Sequence, residues 1–391
     1  MPDETRGGPS TRLIHAVGAK AIVARTVGPP IQHGSTVLLP TAEELYDYSK
    51  PTYGRSGLST HETLRAALAE MEGGADCQLY PSGVAAVTGA MLALLKSGDE
   101  VLVVDTIYAP TRRFCDKVLA RYGVKVSYYP ARTAPEDLLA MGGPALKLIV
   151  LESPGSLTFE MQDVPAIAAL ARERGVLTLI DNTWGAGLLF KPLEHGVDVS
   201  VQALTKYVCG HSDVFMGSAC AAQPKVVQAL DDGVLHLGWS VSGQDAYLAL
   251  RGLRTLATRL KRHGESGLKV AAWLADQPEV AAMYHPALPS SPDHALWARD
   301  YTGACGLFAF ALKPAPEAAV NALLNRLQLF GLGFSWGGFE SLAISGDHQL
   351  PQRRFKSPYP GPLVRLHIGL EETDDLIADL RAGLDAFGAA L

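Results

Sequence analysis

The sequence predicts an α/β protein: a large, mainly parallel sheet covered by helices on both faces, followed by a smaller C-terminal α+β domain. Three observations lead there. First, short apolar runs alternate with helical patterns: "DEVLVVD" (99–105), "ALKLIVLES" (145–153), "GVLTLIDNTW" (175–184) and "VDVSVQALTK" (197–206). Strands that are apolar throughout belong in parallel sheets buried on both faces. Second, these runs end in polar residues: Asp105, Glu152-Ser153, Asp181-Asn182 and Thr205-Lys206. Open α/β sheets bind ligands beyond the carboxyl ends of their strands, so these endings are expected to converge. Third, the chain has 391 residues, 48% of them hydrophobic, enough to bury a large core and to divide into two domains.

In chain order, residues 1–57 lack strong periodicity and are rich in Gly, Pro and Thr. They read as an extended arm, laid over the body or reaching a neighbouring subunit. "STHETLRAALAEME" (59–72) predicts a helix with a Ser/Thr cap and Glu62 in its first turn. "GVAAVTGAMLALLKSG" (83–98) predicts a buried helix closed by Gly98. A helix near 110–122, a strand at 124–130, a helix over 163–174 and a strand at 216–222 complete the large domain, 58–246. The long tract 244–276, which crosses into the second domain (247–391), reads as helical with an interruption near Gly264 and Gly267. Strands at 306–313 and 363–371 and a final helix over 373–391 follow.

The net charge of −6 and the lack of a basic face exclude non-specific binding to nucleic acid. The clusters Arg251/Arg254/Arg259 to Lys261/Arg262 and Arg353/Arg354/Lys356 read as solvated or interface charges. Five scattered cysteines with no C-x-x-C pair indicate neither a disulfide framework nor a zinc ribbon. No apolar signal core and no run of about 18 apolar residues occurs, so neither membrane contact nor export is expected. A cytoplasmic location is the expectation.

The chemistry-bearing residues lie at the strand ends. Asp181 and Lys206 face one crevice, an arrangement that also suits a buried ion pair. "PSGVAA" (81–86) sets Ser82 and Gly83 at a helix start, where free amides and the helix dipole favour an anion, although Ser-Gly there is also an ordinary cap. Together they match the needs of pyridoxal 5′-phosphate (PLP): an amine for a Schiff base, a carboxylate for the pyridinium nitrogen and a cradle for phosphate. Tyr108, just after the strand ending at Asp105, is placed to stack on the ring. Cys209, His211 and Asp213 fit no standard zinc spacing, so no metal is expected. Trp184 and Trp273 read as core.

"QALTKYVCGHSDVFMG" (202–217) resembles the PLP-lysine signature of the cysteine/methionine metabolism family of PLP enzymes, the trans-sulfuration enzymes. "YGRSGLST" (53–60), "YPSGVAA" (80–86), "IYAPTRRF" (107–114), "LESPGSLTFE" (151–160), "DNTW" (181–184), "RGLRTLATRL" (251–260), "SWGGFESL" (335–342) and "RLHIGLE" (365–371) extend the likeness over nearly the whole chain. The resemblance implies the aspartate-aminotransferase-like fold (fold type I). It implies that Lys206 forms the Schiff base and moves protons, and that Asp181 keeps the ring nitrogen protonated. Gly83 and Val84 would give backbone amides to the phosphate, Val84 standing where the family usually has Met. Thr205 falls where a phosphate-binding hydroxyl is expected, and Ala203 stands where many members carry serine. Tyr53 and Arg55 resemble residues that reach a neighbouring subunit's phosphate, with Tyr53 a second candidate beside Tyr108 for influencing proton transfer. Arg365 would clamp the substrate carboxylate, assisted by Ser335, with Trp336 beside it. A homotetramer built from two dimers is implied.

The family contains β-lyases, γ-lyases and γ-replacing synthases. In "LGFSWGGFESL" (332–342), Phe334 stands where the γ-branch has an acid and Trp336 where it has leucine. This segment resembles the bacterial β-lyase branch, which implies cleavage of cystathionine to homocysteine, pyruvate and ammonia for methionine biosynthesis. Cystine and cysteine S-conjugates are further expected substrates. The alternatives are a γ-lyase, γ-synthase or sulfhydrylase of the same family, and a PLP-binding regulator or scaffold.

Overall fold

The computed structural model describes residues 8–15, 26–47, 49–356 and 359–391. A seven-stranded sheet forms from β1 (Asp76–Tyr80), β2 (Glu100–Val104), β3 (Lys125–Tyr129), β4 (Leu146–Glu152), β5 (Leu177–Asp181), β6 (Val199–Gln202) and β7 (Gly217–Ala221). Their order is β1-β7-β6-β5-β4-β2-β3. The β2–β3, β2–β4, β4–β5 and β5–β6 pairs are parallel, and β7 runs antiparallel to β1 and β6. β2 is buried along its whole length, as a strand covered on both faces must be.

The second sheet comprises β8 (Val280–Tyr284), β9 (Leu307–Leu312), β10 (Gly331–Leu332), β11 (Leu342–Ser345) and β12 (Leu363–His367), in the order β10-β11-β12-β9-β8. Phe308 and Phe310 of β9 share a core with Val270 and Leu274 of helix Leu256–Ala275 and with Leu380, Leu384 and Phe387 of helix Thr373–Ala389. No helix of the described residues is long and apolar enough to cross a membrane.

Several boundaries differ from expectation, each for a physical reason. Helix Ser59–Glu72 has no side-chain cap; Ser59 is its first residue, and the His61 ring accepts the amide of Leu58 at 3.1 Å. The next helix, Gly83–Leu94, stops short of Gly98 because Leu95 turns to extended backbone. The tract 244–276 breaks at Arg254-Thr255, between helices Gly243–Leu253 and Leu256–Ala275, and runs unbroken through Gly264 and Gly267. A Cβ on Gly264 would lie 2.2 Å from the Ala304 carbonyl oxygen, so this glycine serves close packing. β1, β8, β10 and β11, and helices Pro9–His15, Pro135–Ala140, Pro224–Leu237, His294–Asp300 and Glu317–Arg326, lie outside the elements expected from the sequence.

Two arginines from the clusters expected to be solvated or at an interface have side chains buried within the chain. Arg259 donates to the carbonyls of Tyr207 (2.7 Å), Val208 (3.2 Å) and Gly252 (2.8 Å). The Arg353 side chain is 8% exposed and donates to Ser156 O (2.6 Å) and Thr158 Oγ1 (2.9 Å). Backbone carbonyls, left over where chain turns outside the sheets, are the partners that draw these guanidiniums inward.

Candidate active site

A cavity of about 270 Å³ opens at the carboxyl ends of β4, β5 and β6. β6 ends at Gln202, so Lys206 stands four residues beyond the strand and not at its end. It lies in a tight turn closed by Lys206 N to Ala203 O (3.0 Å), Cys209 N to Leu204 O (2.8 Å) and Gly210 N to Lys206 O (2.8 Å). Arg259 braces this turn from behind through the carbonyls of Tyr207 and Val208.

Lys206 Nζ donates to Ser335 Oγ at 2.8 Å and lies 5.3 Å from the Trp336 ring centroid. Burial and then the nearby Arg365 push the Lys206 ammonium down to about 8, against the opposing pull of Asp181. A mostly buried lysine that deprotonates near neutrality is a nucleophile and a base.

Asp181 ends β5, in register with Glu152 of β4. Thr183 donates to Asp181 Oδ1 through its amide (3.0 Å) and its hydroxyl, and that hydroxyl also accepts the amide of Ala203 at 2.9 Å. One threonine thus ties the aspartate to the lysine turn, while Oδ2 of Asp181 has no hydrogen-bond partner among the described residues. Burial raises the Asp181 carboxyl, and the Thr183 bonds and Lys206 act against that rise. Burial and then the Asp181 charge hold the Glu152 carboxyl well above its usual range.

Arg365 projects from β12 into the same cavity. Its Nη2 donates to the carbonyls of Phe334 (3.0 Å) and Ser335 (3.2 Å), and its buried Nε has no partner among the described residues. Burial pushes this guanidinium down to about 10. Tyr108 lines the cavity, its amide held by Glu152 Oε2 at 2.7 Å. Gly83 and Val84 line it at a helix start. The Ser82 side chain takes the amide of Ala85, and Ser82 O that of Ala86, leaving the Gly83 and Val84 amides free of partners among the described residues.

Of the expected residues, Lys206, Asp181, Gly83, Val84, Tyr108, Thr205, Arg365 and Trp336 therefore meet at one cavity, with Ser335 in contact through Lys206. The Thr205 hydroxyl is committed elsewhere, donating to Met216 O (3.1 Å) and accepting Met216 N (3.0 Å). Tyr53 and Arg55 lie outside this cavity; Tyr53 is 48% exposed and bridges to Thr36. Asp105 does not join the other strand ends. It pairs with buried Arg112 at 2.6 Å and accepts the amides of Arg354 (3.1 Å) and Phe355 (2.8 Å). Asn182 likewise turns away, donating to Phe190 O at 3.0 Å.

Glu152, Thr183, Trp184, Phe215 and Gln349 also line the cavity. Thr183 was detectable as the residue two positions after a strand-end aspartate, the spacing of an Asx turn. Trp184 is buried as expected of core, donating to Leu307 O at 3.0 Å, yet it forms cavity wall as well. Gln349 arrives from a distant segment and carries no local signal.

A half-buried amine, a half-buried carboxylate and a guanidinium with no carboxylate partner among the described residues, around one cavity at the strand ends of an α/β sheet, define an enzyme of the fold type I class. Residues 10–385 match the family of Cys/Met metabolism PLP-dependent enzymes, and the chain belongs to that family. It is 43% identical over 385 residues to the cystathionine beta-lyase of Salmonella typhimurium, covering 95% of this chain and 97% of that one. It is 41% identical to the cystathionine beta-lyase of Haemophilus influenzae, covering 98% and 99%. The crystal structure of metB from Corynebacterium glutamicum superposes with a TM-score of 0.91 at 30% identity, over 98% of this chain and 99% of that one.

Proposed function

We propose that this chain is a PLP-dependent carbon–sulfur β-lyase that cleaves L-cystathionine to homocysteine, pyruvate and ammonia in methionine biosynthesis by trans-sulfuration. The observation that carries the reading is the neutralisable Lys206 beside Ser335, in one cavity with Asp181 and the guanidinium of Arg365. The donors left without protein partners fit the cofactor. The open oxygen of Asp181 suits a protonated ring nitrogen, and the free amides of Gly83 and Val84 suit a phosphate at a helix start. Lys206 would hold the cofactor covalently and Tyr108 would lie against its ring; Thr205 would line the phosphate end of the cavity with its hydroxyl hydrogen kept on Met216 O.

When bound, PLP supplies a carbonyl for amine exchange and a ring that draws electrons from the substrate's Cα. Arg365 binds the substrate carboxylate in bidentate fashion and sets the Cα–H bond toward Lys206, with Ser335 and Trp336 completing that wall. The neutral amine of Lys206 takes the Cα proton, and an amine pushed down to about 8 is well matched to that step near neutral pH. The Cβ–S bond then breaks, and the homocysteine thiolate receives a proton from Lys206. The three-carbon fragment leaves as aminoacrylate, which water converts to pyruvate and ammonia. Only one proton leaves carbon, so the site needs no second carbon base. Phe334, at the position of the γ-branch acid, accords with that.

In the same proposal the chain divides into an arm (1–57), a cofactor-binding domain (58–246) and a substrate-binding domain (247–391). The enzyme is a cytoplasmic homotetramer in which Tyr53 and Arg55 reach the phosphate of a neighbouring subunit. The half-exposed position of Tyr53, away from its own cavity, supports this. Incubation with L-cystathionine tests the reaction: pyruvate in step with homocysteine is expected, whereas 2-oxobutyrate and cysteine would assign γ-cleavage. Borohydride should fix PLP on Lys206 and on no other residue.

A further inference from the structure

Behind Lys206, on the side away from the cavity, Tyr207, His263 and His367 form a buried cluster. Ring centroids lie 5.2 Å apart for Tyr207–His263, 5.8 Å for Tyr207–His367 and 5.2 Å for His263–His367. Neither histidine lines the cavity. His367, however, meets the loop that holds the lysine and the arginine, and His263 packs against His367. Ser335 Oγ takes Lys206, the carbonyls of Phe334 and Ser335 take Arg365, and Trp336 flanks the lysine.

That loop lies outside any strand or helix. Its Gly337 has φ +84°, and a Cβ there would lie 2.7 Å from the carbonyl carbon of Lys206, so the two segments touch backbone to backbone. Besides Lys206 and Arg365, His367 grips the loop: Gly337 N donates to its Nε2 at 3.1 Å. The same nitrogen is 3.1 Å from Gly338 O, and one ring nitrogen cannot accept from one and donate to the other at once. The tautomer of His367 therefore decides whether the Gly337 amide is held.

His263 bears on the tautomer. Its Nδ1 is 2.8 Å from Ile368 O, which only accepts, so Nδ1 carries the hydrogen and Nε2 is a bare lone pair. His263 Nε2 and His367 Nδ1 are both buried without a partner among the described residues. With hydrogen on His367 Nε2, two orphan acceptors remain in adjacent rings. With hydrogen on His367 Nδ1, one unpaired donor and one unpaired acceptor stand in adjacent rings, a pair that a single water can bridge. We infer that His367, in its Nδ1–H form and bridged to His263 through one water, is a positioning residue that holds the Ser335–Gly338 loop over the lysine and arginine. Burial keeps both rings neutral near pH 7, His263 being pushed down to about 4 and His367 well below its ordinary value.

The kinetic consequence rests on the lyase reading; the structural one does not. Hydrogen exchange of the 333–339 segment in the resting holoenzyme, read by mass spectrometry, separates them. His367→Phe should speed exchange at Gly337 about tenfold, the worth of one buried hydrogen bond. His367→Gln, whose amide oxygen accepts near the Nε2 position, should restore protection to within about threefold. The KM for cystathionine should rise with kcat less affected in the Phe variant, and recover in the Gln variant. His263→Phe leaves His367 in place and should also speed exchange, which carries the test if His367→Phe does not fold. Wild-type protection in His367→Phe or in His263→Phe would overturn the inference, as would a Gln variant no better protected than Phe. Protection that follows the expected order in an enzyme that does not cleave cystathionine would sink the lyase reading and leave this one standing.

Discussion

The sharpest quantitative prediction concerns the acidity of Lys206. The environment moves its ammonium from lysine's ordinary 10.5 to about 8, first by burial and second through Arg365. At about 1.4 kcal/mol per pH unit, the cavity disfavours the charged form by about 3 kcal/mol. At pH 7.5 about a quarter of the amine is then neutral, against about one part in a thousand for a lysine in water. The perturbation is a pair of opposite substitutions in the cofactor-free protein. Arg365→Gln removes a repelling cation, so the midpoint should rise while remaining below 10.5, because burial is the larger cause. Asp181→Asn removes the attracting anion and should lower it further. Reductive methylation with formaldehyde and cyanoborohydride, followed across pH by mass spectrometry of the Lys206 peptide and compared with N-acetyl-lysine amide, reads the midpoint. A wild-type midpoint near 10, or a shift of the same sign from both substitutions, would refute the reasoning.

Two further outcomes follow from the packing around the site. Glu72, held by Gln202, Ser200 and Asn182, is raised by burial from 4.5 to about 7, so the folded state keeps a proton that the unfolded chain has lost. Stability is full below pH 4.5 and falls as pH rises through 7, by up to about 3 kcal/mol; Glu72→Gln should flatten that slope in urea titrations at pH 5 and pH 8. Gly337→Ala forces a Cβ against the Lys206 backbone at a positive φ and should cost about 1–3 kcal/mol in denaturant unfolding, with a raised KM.

Much of the site was legible because each residue sits where a local pattern ends. An apolar run that stops at a charged residue announces a sheet's carboxyl edge; Asp181 was found that way, and Lys206 too, although it stands in a turn four residues past the end of β6. The same rule misplaced Asp105, because Arg112 on the following helix and the amides of residues 354 and 355, which arrive from a distant segment, claim the carboxylate. The basic clusters misled for a related reason. Charge in sequence predicts solvent, yet the Arg259 and Arg353 guanidiniums found carbonyls that irregular segments leave unpaired. The expected break near Gly264 and Gly267 followed helix propensity, and close packing against Ala304 overrode it.

The sequence by itself determined the fold class, the family and the principal reactive groups, since residue type and short-range spacing carry the amine, the carboxylate and the helix-start amides. Tertiary structure alone decided how those groups are tuned. The acidity of Lys206 depends on burial and on Arg365, 159 residues further along the chain, while Ser335 accepts a hydrogen bond from its amine. Thr183 joins two strand ends through one hydroxyl, and His367 reaches the loop above the lysine from a different strand. Burial and hydrogen bonds between distant segments set these energies, and neither has a signature in the residues nearby.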